Sequence, residues 1–381
     1  MAAVIYLDNN ATTPLDARVF EAMLPFYLEN YGNAASATHA FGWQAAEAVK
    51  IAREQIADLI GGSPEEIIFT SGATESDNLA LKGAMEAYSS KGDHLITVAT
   101  EHKAVLDTCK WLEKTGRRVT YLPVDADGHI DLMELENAIT RETVVVSIML
   151  ANNETGVLQD MEAISEIVHA NGALLMSDAT QAVGKIPVDV NELGIDLMAF
   201  SAHKFYGPKG VGGLFVRRRH PRATVSAQIH GGGHERNMRS GTLNVPGIVG
   251  MGMAAQIAKA EMELVTPKMR FLRNQLENTL LELPGVKRNG HALQRLPNTS
   301  NLSFADVEAE ALIGAMPKIA IATGSACTSS LMQPSHVLNA MGLLDDDAYA
   351  SIRFSLSKMT TEEEIEAAIA VVTSGLDRLR S

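Results

Sequence analysis

The chain has 381 residues, which predicts two domains at roughly 150 residues per domain, and it lacks the ~20 uninterrupted apolar residues of a membrane helix. A formal net charge of −14 and a pI near 5.3 argue against a nucleic-acid-binding face, because that affinity depends largely on lysine and arginine. Two cysteines cannot form a disulfide framework, and the N-terminus shows no basic, apolar export signal, so we expect a cytoplasmic protein.

The middle of the chain alternates short apolar runs with amphipathic segments. Five runs stand out: EEIIFT at 65–70, HLITVAT at 94–100, VVVSIML at 144–150, GALLMSD at 172–178 and IDLMAFS at 195–201. Strands that are apolar on both faces are typical of parallel sheets covered by helices. The pattern therefore predicts an α/β fold with a mostly parallel central sheet and helices on both of its faces.

The last hundred residues predict a smaller α+β domain. They contain strand-like segments at 299–304 and 350–357, and a closing helix that begins at Thr361 with a capping box to Glu364. We expect residues 15–260 to form the large domain, and residues 1–14 and 261–381 to form the small one.

Polar side chains follow each of the five predicted strands. Ligands bind at the carboxyl ends of parallel strands, so these residues are expected to share one rim. They are SGATESDN from residue 71, Glu101 and His102, Asn152 and Asn153, Asp178 and Gln181, and Ser201, His203 and Lys204.

The composition of this rim favours a pyridoxal phosphate site. A tight glycine turn leading into a helix at Ala73 and Thr74 presents backbone amides to a phosphate, although a routine capped turn would look the same. Lys204 could bind the cofactor aldehyde, and the alternative for it alone is a solvated surface charge. Asp178 could pair with the pyridine nitrogen or could start a helix.

The same interpretation extends to two further rim residues. Gln181 could bond the ring hydroxyl of the cofactor, and His102 could stack on the ring and move protons.

The segment HGGGHERNMRSGTLN, at 230–244, carries two histidines without a carboxylate or thiolate that completes a metal site. Its Arg236, Arg239 and Thr242 suit an anion better, including a phosphate held by a neighbouring subunit. A plain structural loop is the alternative.

The two cysteines occupy very different contexts. Cys109 lies at helical spacing from Val105 and Leu112 and is expected in the core. Cys327 lies among glycine and serine in TGSACTSS, where little would bury a thiol, so a reactive role is expected.

Nine motifs in order along nearly the whole chain resemble the NifS/IscS-type (group I) cysteine desulfurases of the class V aminotransferase family. They are YLDNNATTP, FTSGATESDN, TEHKAVLDTC, NNETGV, DATQAVGK, SAHKFYGPKG, GGGHERNMRSGT, GSACTSS and SIRFSLS. The resemblance implies the fold type I architecture of pyridoxal 5'-phosphate enzymes, and a sulfurtransferase that converts L-cysteine to L-alanine.

The resemblance also implies roles for individual residues. Lys204 would be the Schiff-base lysine, His102 the stacking acid/base, Asp178 the pyridine partner and Arg353 the ligand of the substrate carboxylate, for which a structural ion pair is the alternative. Cys327, on a loop at about 322–335, would be the nucleophile that receives sulfur as a persulfide. Contacts to cofactor or substrate would come from Ala73, Thr74, Ser201, His203, Asn153 and Gln181, with Thr242 supplied by the partner subunit.

The expected partners are L-cysteine, a second copy of the chain and a sulfur-acceptor protein for iron–sulfur cluster assembly, tRNA thiolation or another thio-cofactor. The chain ends at Ser381 without the tail that similar housekeeping enzymes use to dock a scaffold, so the acceptor stays open, as does the preference between cysteine and selenocysteine. Two alternatives remain: another fold type I enzyme, such as an aminotransferase or a selenocysteine lyase, and a non-catalytic sulfur-carrier platform.

Overall fold

A computed structural model describes residues 4–219, 222–323 and 334–381. Cys327 and most of the predicted 322–335 loop lie outside the described residues. Within them, no helix is long and apolar enough to cross a membrane.

Within the described residues, the largest sheet has seven strands in the order β2-β8-β7-β6-β5-β3-β4. β3 to β7 run parallel, while β8 is antiparallel to both of its neighbours. The predicted mostly parallel sheet is thus confirmed. Its strands are β2 Ile67–Thr70, β3 His94–Val98, β4 Arg118–Leu122, β5 Thr143–Ser147, β6 Leu174–Asp178, β7 Leu197–Ser201 and β8 Gly212–Val216.

Both faces of this sheet are buried, as expected from its apolar strands. Alternate residues point to opposite faces, so Ile67 and Phe69 enter one core while Ile68 enters the other. The first core includes residues of α1, α3, α7 and the start of α8, and the second includes residues of α4 and α5. The described helices are α1 Ala17–Met23, α2 Pro25–Leu28, α3 Ala40–Ile60, α4 Ala73–Ala87, α5 Lys103–Lys114, α6 Leu132–Ala138, α7 Met161–Ala170, α8 Val245–Leu281, α9 Ala309–Ala315, α10 His336–Ala340, α11 Asp345–Tyr349 and α12 Glu362–Arg380.

A second sheet, with the order β12-β13-β10-β9, forms the C-terminal part of the described chain. It packs with the end of α8, α9 and α12 around a third core. As predicted, Thr361 caps α12 and forms a capping box with Glu364. The strands are β9 Val286–Arg288, β10 Thr299–Phe304, β12 Ala322–Thr323 and β13 Ser351–Ser355.

The N-terminal segment joins this C-terminal part. β1 Ile5–Tyr6 pairs in parallel with β11 Ile319–Ala320, and Leu7 lies in the third core. α8 is continuous through residue 260, with its first half in the first core and its last turns in the third. The division into domains at residue 260 stays a prediction, and the helix that contains this point is shared by both cores.

Candidate active site

The carboxyl ends of five strands meet at one rim of the large sheet. β2 is antiparallel to β8, and β8 is antiparallel to β7, so β2 runs in the same direction as the parallel strands. The residues that follow β2, β3, β5, β6 and β7 therefore share one edge, as the sequence predicts.

The turn after β2 gives a helix N-terminus at this rim. α4 begins at Ala73, and the first amide to close a helical turn is that of Ser76, which donates to the Gly72 oxygen over 3.1 Å. The amides of Ala73 and Thr74 precede it and are free of intrahelical bonds. A Cβ atom at Gly212 would lie 2.6 Å from the Gly72 Cα, so glycine lets this turn sit directly on β8. This geometry suits an anion.

The arginines of the glycine-rich segment at 230–244, which the sequence suggested for binding an anion, instead make bonds within the chain. Arg239 pairs with Glu75 of α4 over 2.7 Å, and Arg236 donates to the Ile67 oxygen over 3.2 Å. Both guanidinium groups therefore bind their own chain, while Thr242 is exposed. Within the described part of the chain, no three His, Cys, Asp or Glu side chains come together where they could hold a metal ion.

Lys204 ends the short 3-10 turn that follows β7. Its Nζ donates to the carbonyl oxygens of Asn10, over 2.6 Å, and Ala11, over 2.8 Å. Burial and the nearby Arg353 together lower the pKa of Lys204 to about 8, although Asp178 and Asp8 oppose them. A minor fraction of this amine is therefore neutral near physiological pH, and the neutral amine is the form that attacks a carbonyl.

Two histidines flank this lysine. His102 caps α5, and its Nδ1 accepts the Ala104 N–H over 3.1 Å, which leaves Nε2 to carry the proton of the neutral ring. Although the His102 ring is accessible from outside, surrounding protein atoms lower its pKa by desolvation, and the Asp178 carboxylate opposes this. The pKa of His203 is lowered to about 4 by burial and by Lys204, so His203 is neutral and can act as a hydrogen-bond donor.

Asp178 is the last residue of β6, and its carboxylate is buried at the rim. Its Oδ1 accepts the Thr180 N–H over 2.9 Å. The sequence left open a helix starting here, but residues 180–185 form turns. Asp178 thus caps a turn and keeps an acceptor at the rim.

Gln181 lies nearby and is not free. Its Nε2 donates to the Asn10 oxygen over 2.9 Å, and its Oε1 accepts from Lys185 Nζ over 2.6 Å. The sequence interpretation assigned Gln181 to contacts with cofactor or substrate and missed both Asn10 and Lys185, although each lies inside one of the nine motifs.

Arg353 connects the second sheet to the rim. From β13 it pairs with Asp8 over 2.6 Å and donates to the Asn153 oxygen over 3.1 Å. The structural ion pair that the sequence left as an alternative is therefore present. The partner carboxylate, Asp8, is part of YLDNNATTP and was not singled out from the sequence.

The rim also contains polar atoms that need a ligand. Asn153 Oδ1, Thr180 Oγ1 and Arg353 Nε are buried and have no hydrogen-bond partner among the described residues. Leaving such atoms unpaired costs about 1–3 kcal/mol each. Together with a lysine amine whose pKa is lowered to about 8, a buried carboxylate and a helix N-terminus, they fit pyridoxal 5'-phosphate, which has an aldehyde, a basic ring nitrogen and a phosphate.

The comparison with known families decides the identity. Residues 5–368 match the model of the family described as aminotransferase class-V. The chain belongs to the class-V aminotransferases.

Similar proteins and similar solved structures indicate which members of this family the chain resembles. Cysteine desulfurase IscS of Klebsiella pneumoniae subsp. pneumoniae is 56% identical over 382 residues, which covers 100% of this chain and 94% of that protein. A solved structure titled NIFS-like protein superposes with a TM-score of 0.90 at 41% identity and covers 99% of both chains. Another, titled SspA in complex with cysteine, gives 0.82 at 36% identity and covers 94% of this chain and 100% of that one.

These comparisons confirm three predictions made from the sequence. The chain is a class-V aminotransferase of the NifS/IscS type, it has the fold type I architecture, and it depends on pyridoxal 5'-phosphate.

Proposed function

We propose that this class-V aminotransferase is a cysteine desulfurase that converts L-cysteine to L-alanine and takes up the sulfur on Cys327 as a persulfide. The observation that carries the proposal is the convergence of Lys204, Asp178 and Arg353 on one rim, in a chain 56% identical to a curated cysteine desulfurase along its whole length.

The cofactor would be held by the residues of the rim. The α4 amides at Ala73 and Thr74, with Ser201 and His203, suit its phosphate, and Thr242 of a second subunit would join them. Asp178 suits the protonated ring nitrogen, and Gln181 with Asn153 the remaining polar groups. When bound, pyridoxal phosphate supplies an electron sink that makes the Cα–H and Cβ–S bonds of cysteine labile.

The protein's own side chains would bind the substrate and move the proton. The Arg353 guanidinium suits a carboxylate, since its Nε has no partner among the described residues, while its Nη1 and Nη2 each make one bond, to the Asn153 oxygen and to Asp8. Lys204, with a pKa of about 8, can take a proton from Cα and return one. The Nε2–H of His102 lies at the same rim and can relay protons to substrate.

Sulfur transfer is assigned to Cys327 on the basis of sequence. Its thiolate would attack the substrate sulfur, so that the Cβ–S bond breaks and an S–S bond forms. The electron pair of the broken bond stays on carbon, which takes up a proton and becomes the methyl group of alanine. The outer sulfur of the persulfide then passes to a thiolate of a sulfur-acceptor protein, which breaks the S–S bond and restores the Cys327 thiol. For this acceptor we propose a component of iron–sulfur cluster assembly or of another thiolation pathway, in the cytoplasm.

The test is an assay of the purified wild-type protein with L-cysteine, pyridoxal phosphate and a thiol reductant. We expect alanine and sulfide in equal amounts. In the same assay, Arg353→Lys is expected to raise KM for cysteine about 10- to 100-fold, because a point charge replaces a planar fork. Pyruvate or a keto acid in place of alanine would instead indicate another fold type I reaction.

We also propose that the protein is a homodimer. Large apolar side chains are exposed on α1, α2 and the start of α3, where the Tyr31 and Phe41 rings lie 5.4 Å apart. The others in this patch are Phe20, Leu24, Tyr27, Leu28 and Trp43, each at least 41% exposed. Seven exposed large apolar side chains within residues 20–43 are typical of a protein–protein interface.

Light scattering should give twice the chain mass of 40.9 kDa. Leu28→Glu in this patch should weaken the dimer. Leu293→Glu, which changes a side chain that is 84% exposed elsewhere, should leave it intact. A mass of one chain for an active wild-type enzyme would contradict the proposal.

A further inference from the structure

Asn10 is a buried hydrogen-bonding centre beneath the rim. It is 1% exposed, and all four of its polar atoms are bonded. Its backbone N–H donates to Ser355 Oγ, and its Nδ2 donates to Thr299 Oγ1 and to the Asn153 oxygen. Its carbonyl oxygen accepts from both Gln181 Nε2, over 2.9 Å, and Lys204 Nζ, over 2.6 Å.

Lys185 completes this network from one side. It is 3% exposed, and its Nζ donates to Gln181 Oε1 over 2.6 Å and to Asn10 Oδ1 over 3.3 Å. The latter oxygen also accepts from Asn298 Nδ2. Burial holds the pKa of Lys185 well below its usual value, and Lys204 and Arg353 act in the same direction. A neutral amine has two N–H groups, which matches the two acceptors present.

The Lys185 amine helps to set which way the Gln181 amide points. Its two N–H groups are directed at Asn10 Oδ1 and Gln181 Oε1, which favours the orientation in which Gln181 presents its oxygen to Lys185. The Nε2 group of Gln181 must then face the Asn10 oxygen, beside Lys204. The Asn10 oxygen therefore accepts from both Gln181 Nε2 and Lys204 Nζ. Without the Gln181 donor, this oxygen would accept from the Lys204 ammonium alone.

We propose that Lys185 is a positioning residue: by fixing the orientation of the Gln181 amide, it limits how strongly the Asn10 oxygen binds a protonated Lys204, and so increases the fraction of Lys204 in its neutral, reactive form. The proposal rests on the proposed function of Lys204 as the cofactor lysine, and no contact of Lys185 with substrate is involved.

Other charged groups also act on Lys204 and stay unchanged in the test. Arg353 favours the neutral amine, whereas Asp178 and Asp8 favour the charged one, and His102 and His203 flank it. Lys185 differs from these groups because it reaches Lys204 through Gln181 and Asn10.

The test measures the Lys204 amine directly, in the full-length protein stripped of cofactor. Trace acetic anhydride labels neutral amines, and mass spectrometry of the Lys204 peptide across pH gives the titration midpoint. We expect Lys185→Met to raise this midpoint by about one pH unit, so that labelling well below it slows about tenfold. Gln181→Leu, which removes the same donor, should raise it similarly.

The double variant separates positioning from a structural effect. If Lys185 acts through Gln181, Lys185→Met adds no further shift in the Gln181→Leu background. Lys209→Met, which changes an exposed lysine five residues after Lys204, should leave the midpoint at the wild-type value. Melting curves establish that each variant is folded.

Two results would overturn the proposal: a wild-type midpoint in folded Lys185→Met, or an equal further shift in the double variant. Should Lys185→Met not fold, an unchanged midpoint in Gln181→Leu is decisive against it. Because labelling needs neither cofactor nor cysteine, these outcomes are independent of whether the wild type releases alanine and sulfide.

Discussion

Lys204→Ala is expected to lower alanine release from L-cysteine about 10²- to 10⁴-fold, the contribution typical of a positioned acid–base group, with further loss from its proposed covalent role. The reason is local. Among the rim residues, Lys204 is the amine that combines burial with a pKa of about 8, so it has neutral and charged forms available near neutral pH. Cofactor absorbance and alanine formation would be followed in the same samples.

The matched control is Lys209→Ala, on the glycine-rich turn five residues further along, where the side chain is exposed. It should behave as wild type. Equal activity of the Lys204 and Lys209 variants would show that the chemistry does not depend on Lys204. The Lys204 variant should still fold, since it loses only bonds to the Asn10 and Ala11 oxygens.

Cys327→Ser is expected to abolish both products, a loss of at least about 10³-fold, because a hydroxyl does not replace a thiolate as a nucleophile toward sulfur. Cofactor binding should be retained, since the residues proposed to hold the cofactor lie elsewhere. The measurement is alanine and sulfide release, together with the mass of the protein after brief exposure to cysteine, which reports the added sulfur atom in the wild type.

The only other cysteine of the chain supplies the control. Cys109 is fully buried in α5, as the sequence predicts, and burial raises the pKa of its thiol to about 12, which leaves no thiolate at neutral pH. Cys109→Ala should stay active and lose about 1–2 kcal/mol of stability from the core. Desulfuration that survives in Cys327→Ser would move sulfur transfer to another group or favour a selenocysteine-lyase type of chemistry.

The central sheet could be predicted because its strands are apolar on both faces, and burial on two sides leaves an unambiguous pattern. Two strands escaped this reasoning. β4 has mostly partly exposed side chains at the edge of the sheet, and β8 begins with glycines that read as a loop. The antiparallel direction of β8 depends on its pairing with β2 and β7, which no local pattern encodes.

The site could be predicted in part for the same reason. Three features of the site lie at the carboxyl ends of recognisable strands: Lys204, Asp178 and the start of α4. Their positions in the sequence therefore predicted that they lie at the same rim of the sheet. The role of Arg239 could not be read in this way, because its partner, Glu75, is distant in sequence. The same holds for Asn10 and Lys185, whose importance is visible only when their hydrogen bonds are traced.

The position of Asn10 in the chain has a consequence for folding during synthesis. Its bonds to Thr299 and Ser355 span 289 and 345 residues. All seven strands of the large sheet lie in the chain between Asn10 and Thr299. Contacts of such separation form late, because closing a long loop must precede them. On the ribosome, the large sheet can therefore form before Asn10 makes these bonds, and the last strands to emerge complete the surroundings of Lys204.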